Sequence, residues 1–189
     1  MNLPALLTLL DHGGDLKLLP RTGWLFAGIQ PPESVADHSF ATALLALALA
    51  HQINADPPAH ALAAPLEIAR VLQTALLHDL AESLVTDLPK RSTELLGEAV
   101  KHDAEARALR LITAGLPMAG EWRALLDDYT NESTAEARLV RDADKLEMTH
   151  QAVRYTRQGR RGLEEFLVER DYAFALCREI HRHLCGSLE

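Results

Sequence analysis

The chain has little to cross-link or to stack with. Of its 189 residues only two are cysteines, Cys177 and Cys185, and aromatic residues make up 5%. Two cysteines cannot build a disulfide framework, and their separation suits no common zinc motif. Both therefore read as packing residues in a reducing compartment. A core poor in aromatics has to be assembled from small and aliphatic side chains, and Ala and Leu dominate here. Long hydrophobic runs are missing as well. The longest, Ala43 to Ala50, falls far short of the ~20 residues that a bilayer crossing requires, so no membrane span is expected. The first residues carry no basic segment followed by an apolar stretch and a cleavage site, which makes the cytoplasm the expected compartment. Positive charge is also in deficit: Lys and Arg number 19 against 27 Asp and Glu, a formal net charge of −8. That balance repels a nucleic-acid polymer. A small anionic substrate stays open, because one Arg or a metal ion outweighs the global charge locally.

What the chain does have is helical periodicity. Its length is ample for one core and short for two, so residues 1–189 read as one all-α domain. Helices are expected over about 2–11, 34–52, 65–79, 92–114, 118–129, 133–158 and 162–185. Ser34 and Asp37 form a capping-box pattern, and Gly115, Gly159 and Gly186 stand at expected C-terminal ends. Residues 12–32, rich in Gly and Pro, read as a long irregular loop, and such loops are often functional. Nothing alternates as a β-strand over a useful length.

Four polar residues stand where apolar ones belong. His78 and Asp79 interrupt the run Leu76-Leu77-His78-Asp79-Leu80, and Asp79 continues the stripe of Ile68, Leu72 and Ala75. His38 shares a stripe with Thr42, Leu45 and Leu49. Asp144 is flanked on its helix by Val140, Glu147 and Met148. A buried carboxylate without a partner is very costly, so it needs a cation, a hydrogen-bonded Arg or Lys, or a metal. Two imidazoles and two carboxylates on a helical frame suit one divalent ion with positions left for water and substrate. Any one of these residues alone reads more readily as a satisfied core or surface group; the ordered combination carries the metal reading. Only His102 lies between the His-Asp pair and Asp144 as a further imidazole, which favours a single ion. The helix around Lys101, His102, Glu105 and Arg107 reads as a solvated face.

The order His…His-Asp…Asp resembles the HD-domain metal phosphohydrolases. More narrowly, Leu19-Pro20-Arg21-Thr22-Gly23-Trp24, Pro32-Glu33-Ser34-Val35-Ala36-Asp37-His38-Ser39, His78-Asp79-Leu80-Ala81-Glu82, Asp87 and Asp144-Lys145-Leu146-Glu147-Met148 look like the HD-domain 5′-deoxynucleotidases. The likeness spans about residues 16–158, with the helix at 162–185 packed on that part. It implies hydrolysis of deoxyribonucleoside 5′-monophosphates, a helical bundle and a homodimer. It also implies one divalent ion: Co or Mn, with Mg, Zn, Fe, Ni and Cu as further candidates. His38, His78, Asp79 and Asp144 fall on the family's ligand positions, Glu82 on the catalytic acid, and Asp87 on a position tied to catalysis and the sugar. Arg21 and Trp24 fall in the nucleotide-contacting segment. One departure is visible: Thr86 stands before Asp87 where relatives commonly carry Gly.

The residues also read chemically. A carboxylate at Glu82 can orient or deprotonate an attacking water, and Arg21 can grip a phosphate with two parallel hydrogen bonds. Trp24 suits either stacking on a base or filling the core, and Asp87 either contacts substrate or ends a turn. Two alternatives remain at this point: an HD-domain hydrolase of a triphosphate or cyclic nucleotide, and a non-catalytic nucleotide-binding domain.

Overall fold

The computed structural model describes residues 2–188, and among these it contains helices and no strand. In chain order the helices are α1 Leu3–Leu16, α2 Thr22–Phe26, α3 Val35–Asn54, α4 Ile68–Leu77, α5 Glu82–Val85, α6 Lys90–Leu96, α7 Glu98–Ile112, α8 Ala119–Asn131, α9 Ala135–Arg157, α10 Glu164–Leu167 and α11 Ala175–Gly186, with a 3₁₀ turn at Pro57–His60. The long α3 and α9 pack on each other and on α4, while α8 and α11 close the outside. Where they meet, small residues such as Ala46 and Ala143 alternate with Ile53, Val71, Leu139, Val140 and Leu146, all buried. Small side chains let helix axes approach and the branched ones fill the gaps, so an aromatic-poor core still packs densely.

Several boundaries differ from the sequence expectation. α1 runs through Gly13 and Gly14 to Leu16, whose buried side chain packs with Val35, Leu77 and Leu109. Burial of that Leu outweighs the roughly 1 kcal/mol that each helical Gly costs. The helix expected over 92–114 is broken in two at Gly97, whose φ of 91° no helix accommodates. The last expected helix is also two pieces, α10 and α11, joined by a stretch in which Ala173 N and Phe174 N donate to the buried Asp142 carboxylate at 3.1 and 2.9 Å. Gly115 and Gly159 do have positive φ just past α7 and α9, whereas Gly186 is the last residue of α11.

The expected irregular loop is a folded strap. Arg21 N donates to Glu33 O and Val35 N to Leu19 O, at 3.0 and 2.9 Å, so the segment returns on itself with α2 at its far side. This closure sets Arg21 beside the first turn of α3. Ser34 caps α3 as expected: Asp37 N donates to Ser34 Oγ, and Ser34 N donates to the Asp37 carboxylate. No helix is long and apolar enough to cross a membrane among the described residues.

Candidate metal centre

His38 sits one turn inside α3, with its position fixed by that cap, and is fully buried. His78 ends α4, and Asp79 follows in a tight turn, where Leu80 N bonds Leu77 O and Glu82 N bonds Asp79 O at 3.0 Å. The chain therefore winds tightly from the end of the helix expected over 65–79 into α5. Asp144 comes from the middle of α9. The structure brings all four together. His38 Nε2 lies 3.2 Å from Asp144 Oδ1 and 3.7 Å from Asp79 Oδ2, and His78 Nε2 lies 3.2 Å from the same Asp79 oxygen. Donor atoms of His38, His78 and Asp144 fall within 4.8 Å of one another.

Both imidazoles are held by their outer nitrogens. His38 Nδ1 is 2.5 Å from Glu147 Oε2, and His78 Nδ1 is 2.8 Å from the Ala75 carbonyl oxygen. With Nδ1 donating in each case, it is Nε2 that faces the cluster, and its lone pair becomes available to an ion once the Nε2 proton is given up. Both Nε2 atoms are buried and have no hydrogen-bond partner. Two lone pairs aimed at one point between two carboxylates could hold a divalent ion, and the donor set suits one. Tyr129 donates to Asp144 Oδ2 at 3.1 Å, which leaves Oδ1 for the centre.

The electrostatics agree with a cation site. Burial and Arg21 disfavour a charged His38, yet Asp144 and Glu147 outweigh them and hold its pKa at about 9. Burial would raise Asp79 and Asp144, but the two imidazoles and Arg21 hold both well below the usual carboxylate range. The centre thus carries an excess of negative charge that attracts either protons or a metal.

The cluster opens into a cavity of about 1280 Å³ whose wall includes Arg21, Glu82, Asp87 and Lys101. Glu82 is 5% exposed, and its Oε2 has no partner. Burial, then Asp79 and Asp87, push its pKa well above the usual value. Arg21 lies 3.3 Å from Asp79 Oδ2 and 3.7 Å from Asp87 Oδ1. Asp87 also accepts from the Thr22 amide while Thr22 Oγ1 donates to its backbone oxygen at 2.8 Å, so it caps α2 as well as facing Arg21. Trp24 is a different matter. It is 2% exposed, packs against Tyr155 and Phe166, and donates its indole N–H to Glu33 at 2.8 Å. Of its two sequence readings the geometry favours the core, because neither ring face is open to a base.

Residues 13–173 match the HD domain family profile. The chain belongs to the HD-domain family. Among relatives of this HD-domain protein, the 5′-deoxynucleotidase hdd1 of Schizosaccharomyces pombe is 35% identical over 170 residues, covering 86% of this chain and 79% of that one. The 5′-deoxynucleotidase HDDC2 of Homo sapiens is 34% identical over 154 residues, covering 80% and 68%. The crystal structure of PH0347 protein from Pyrococcus horikoshii OT3 superposes with a TM-score of 0.76 at 34% identity, over 96% of this chain and 98% of that one.

Sequence reasoning missed several residues of this HD-domain site. Glu147 is buried and orients His38, and Tyr129 steadies Asp144. Three residues after Asp144 on one helix, Glu147 was visible as a neighbour on the same face, and that was the available signal. Lys101 and Glu105 correct the solvated-face reading of α7. They lie 3.6 Å apart, each about one quarter exposed (26% and 27%), in the cavity wall. The turn of α7 towards α5 puts them there, and that rotation depends on the break at Gly97, which periodicity alone did not reveal.

Proposed function

We propose that this HD-domain protein is a 5′-deoxynucleotidase that hydrolyses deoxyribonucleoside 5′-monophosphates to deoxynucleoside and phosphate with one divalent ion. The reading is supported by two relatives of that name at 34–35% identity over most of the chain. The observation that carries it is the pair of unpartnered, buried Nε2 atoms facing Asp79 and Asp144. His38, His78, Asp79 and Asp144 hold the ion. When bound, it supplies Lewis-acid charge towards the phosphate. Glu82, kept basic by its burial among carboxylates, takes the proton from the attacking water. Arg21 offsets charge on the phosphate by exchanging a carboxylate partner for a phosphoryl oxygen. Asp87 braces Arg21 and α2 and faces the sugar. Trp24 backs this wall from the core.

Cobalt or manganese is the first choice of ion, since nitrogen and oxygen donors accept both. The protein acts in the cytoplasm on small nucleotides rather than on polymers, works as one domain, and pairs as a homodimer. Support for the pair comes from Phe40 and Leu44, one turn apart on α3 and 69% and 59% exposed. Clustered exposed apolar residues on soluble proteins mark contact surfaces.

The test is phosphate release from dAMP, dGMP, dTMP and their ribo-forms with Co²⁺ or Mn²⁺, comparing the native protein with Asp79→Ala and Glu82→Gln. Both variants should lose at least about a hundredfold in turnover, Asp79→Ala with loss of metal and Glu82→Gln with metal retained. Full activity in Asp79→Ala would refute the reading.

A further inference from the structure

With Trp24 enclosed, the cavity still has to provide for the base of a nucleotide. Four aromatic residues line it: Trp24, Phe26, Tyr129 and Phe166. Trp24 and Tyr129 are covered, at 2% and 8% exposed, and Phe166 is half-buried, its ring packed on Trp24 with centroids 4.3 Å apart. Phe26 is 57% exposed. Arg91, from α6 on the same wall, lays its guanidinium over one side of the Phe26 ring. A large apolar ring left open in a cavity that also contains the acidic centre has a site-specific cost of hydration, and a planar apolar ligand would relieve it.

The position of Phe26 is also fixed relative to the centre. It ends α2, the helix that begins just after Arg21 and whose first amide is held by Asp87. Five residues of helical rise put Phe26 about 7 Å along the axis from Arg21. One short rigid element therefore bears a phosphate-seeking cation at one end and an open aromatic face at the other, with roughly the span of a sugar between them.

We infer that Phe26, with Arg91, is the nucleobase platform of this protein: the base stacks on the face of the Phe26 ring that Arg91 leaves free, Arg91 backs the ring from the other side, and the phosphate reaches Arg21. The inference rests on the nucleotidase reading and deepens it. Stacking is tolerant of base identity because every base offers a π face, and purines, with the larger face, bind more tightly than pyrimidines. Arg91 contributes by stacking and cation–π attraction, not by reading a particular base edge.

The experiment compares native protein, Phe26→Ala, Phe26→Trp and Arg91→Ala in steady-state hydrolysis of dAMP and dTMP, with 2-deoxyribose 5-phosphate as a base-free competitor. Phe26→Ala should raise KM for dAMP roughly 5- to 150-fold, the range of one base–aromatic stack, and change kcat far less. Phe26→Trp should restore KM, and Arg91→Ala should shift it in the same direction as Phe26→Ala by a smaller factor. The inhibition constant of the base-free competitor should move much less than KM. An unchanged KM in Phe26→Ala, no rescue by Trp, or an equal weakening of the base-free competitor would overturn the platform while leaving the nucleotidase reading intact. If the native protein neither hydrolyses nor binds dAMP, both fall.

Discussion

At the scale of single residues, the candidate centre depends on groups outside the proposed ligand set. Glu147 fixes the proton of His38 on Nδ1 from 2.5 Å. Replacing it with Ala frees the ring to turn and to change tautomer. Metal affinity, measured by competition with a chelator, should fall about 10- to 100-fold, while circular dichroism stays near native. The charge state of His38 yields a second prediction. Its folded pKa of about 9 lies above the ordinary 6.5, so its contribution to stability is complete below pH 6.5 and is lost as pH rises through about 9. Melts of chelator-treated protein from pH 6.5 to 9.5 should show a falling Tm, and added Co²⁺ or Mn²⁺ should flatten the slope by replacing the proton. A Tm that rises over that window would contradict the charge assignment. The four clustered residues, the proposed ligands, were legible because each placed a polar side chain in an apolar stripe. Glu147 was legible only as a neighbour of Asp144 on one helix face; its pairing with His38, 109 residues away, leaves no local pattern. Trp24 was ambiguous for a related reason: composition does not say which of its faces the fold will cover.

At the scale of elements, local signals did well where they were chemically specific. The Ser34–Asp37 cap placed the start of α3, and with it His38, to the residue. They did less well where tertiary packing overrode propensity, as at Gly13 and Gly14, or where one residue broke a periodic run, as at Gly97. The join between α5 and α6 holds the clearest strain. Thr86 has φ 66° and ψ 163°, a region that suits Gly and costs a β-branched residue about 1–3 kcal/mol. This is the position at which the resemblance read from the sequence implies Gly. Thr86→Gly should raise stability by about 1 kcal/mol in denaturant melts, since the gain exceeds the extra freedom given to the unfolded chain. A loss of stability instead would mean that the Thr side chain makes compensating contacts.

At the scale of the whole molecule, the all-α architecture could be read from periodicity, but the arrangement of α2, α6 and α7 around the cavity could not. It is built from contacts between segments far apart in sequence, such as Thr22 with Asp87. The same scale sets the terms for the proposed dimer. A chain with net charge −8 repels its own copy, so an interface between copies favours a charge-free patch. Phe40→Glu combined with Leu44→Glu should give a monomer by light scattering at micromolar concentration, where the native chain gives a dimer. A native monomer under those conditions would remove the pairing from the proposal.

The ion's proposed ligands come from α3, from the turn after α4 and from α9, and no other chain segment contributes one. Loading would therefore act as a rivet through those parts alone. Deuterium uptake at backbone amides should slow together in α3, α4 and α9 when Co²⁺ or Mn²⁺ is added, while the frayable ends of α1 and α11 exchange as before. Such a footprint would trace the centre on the folded chain without any turnover being measured.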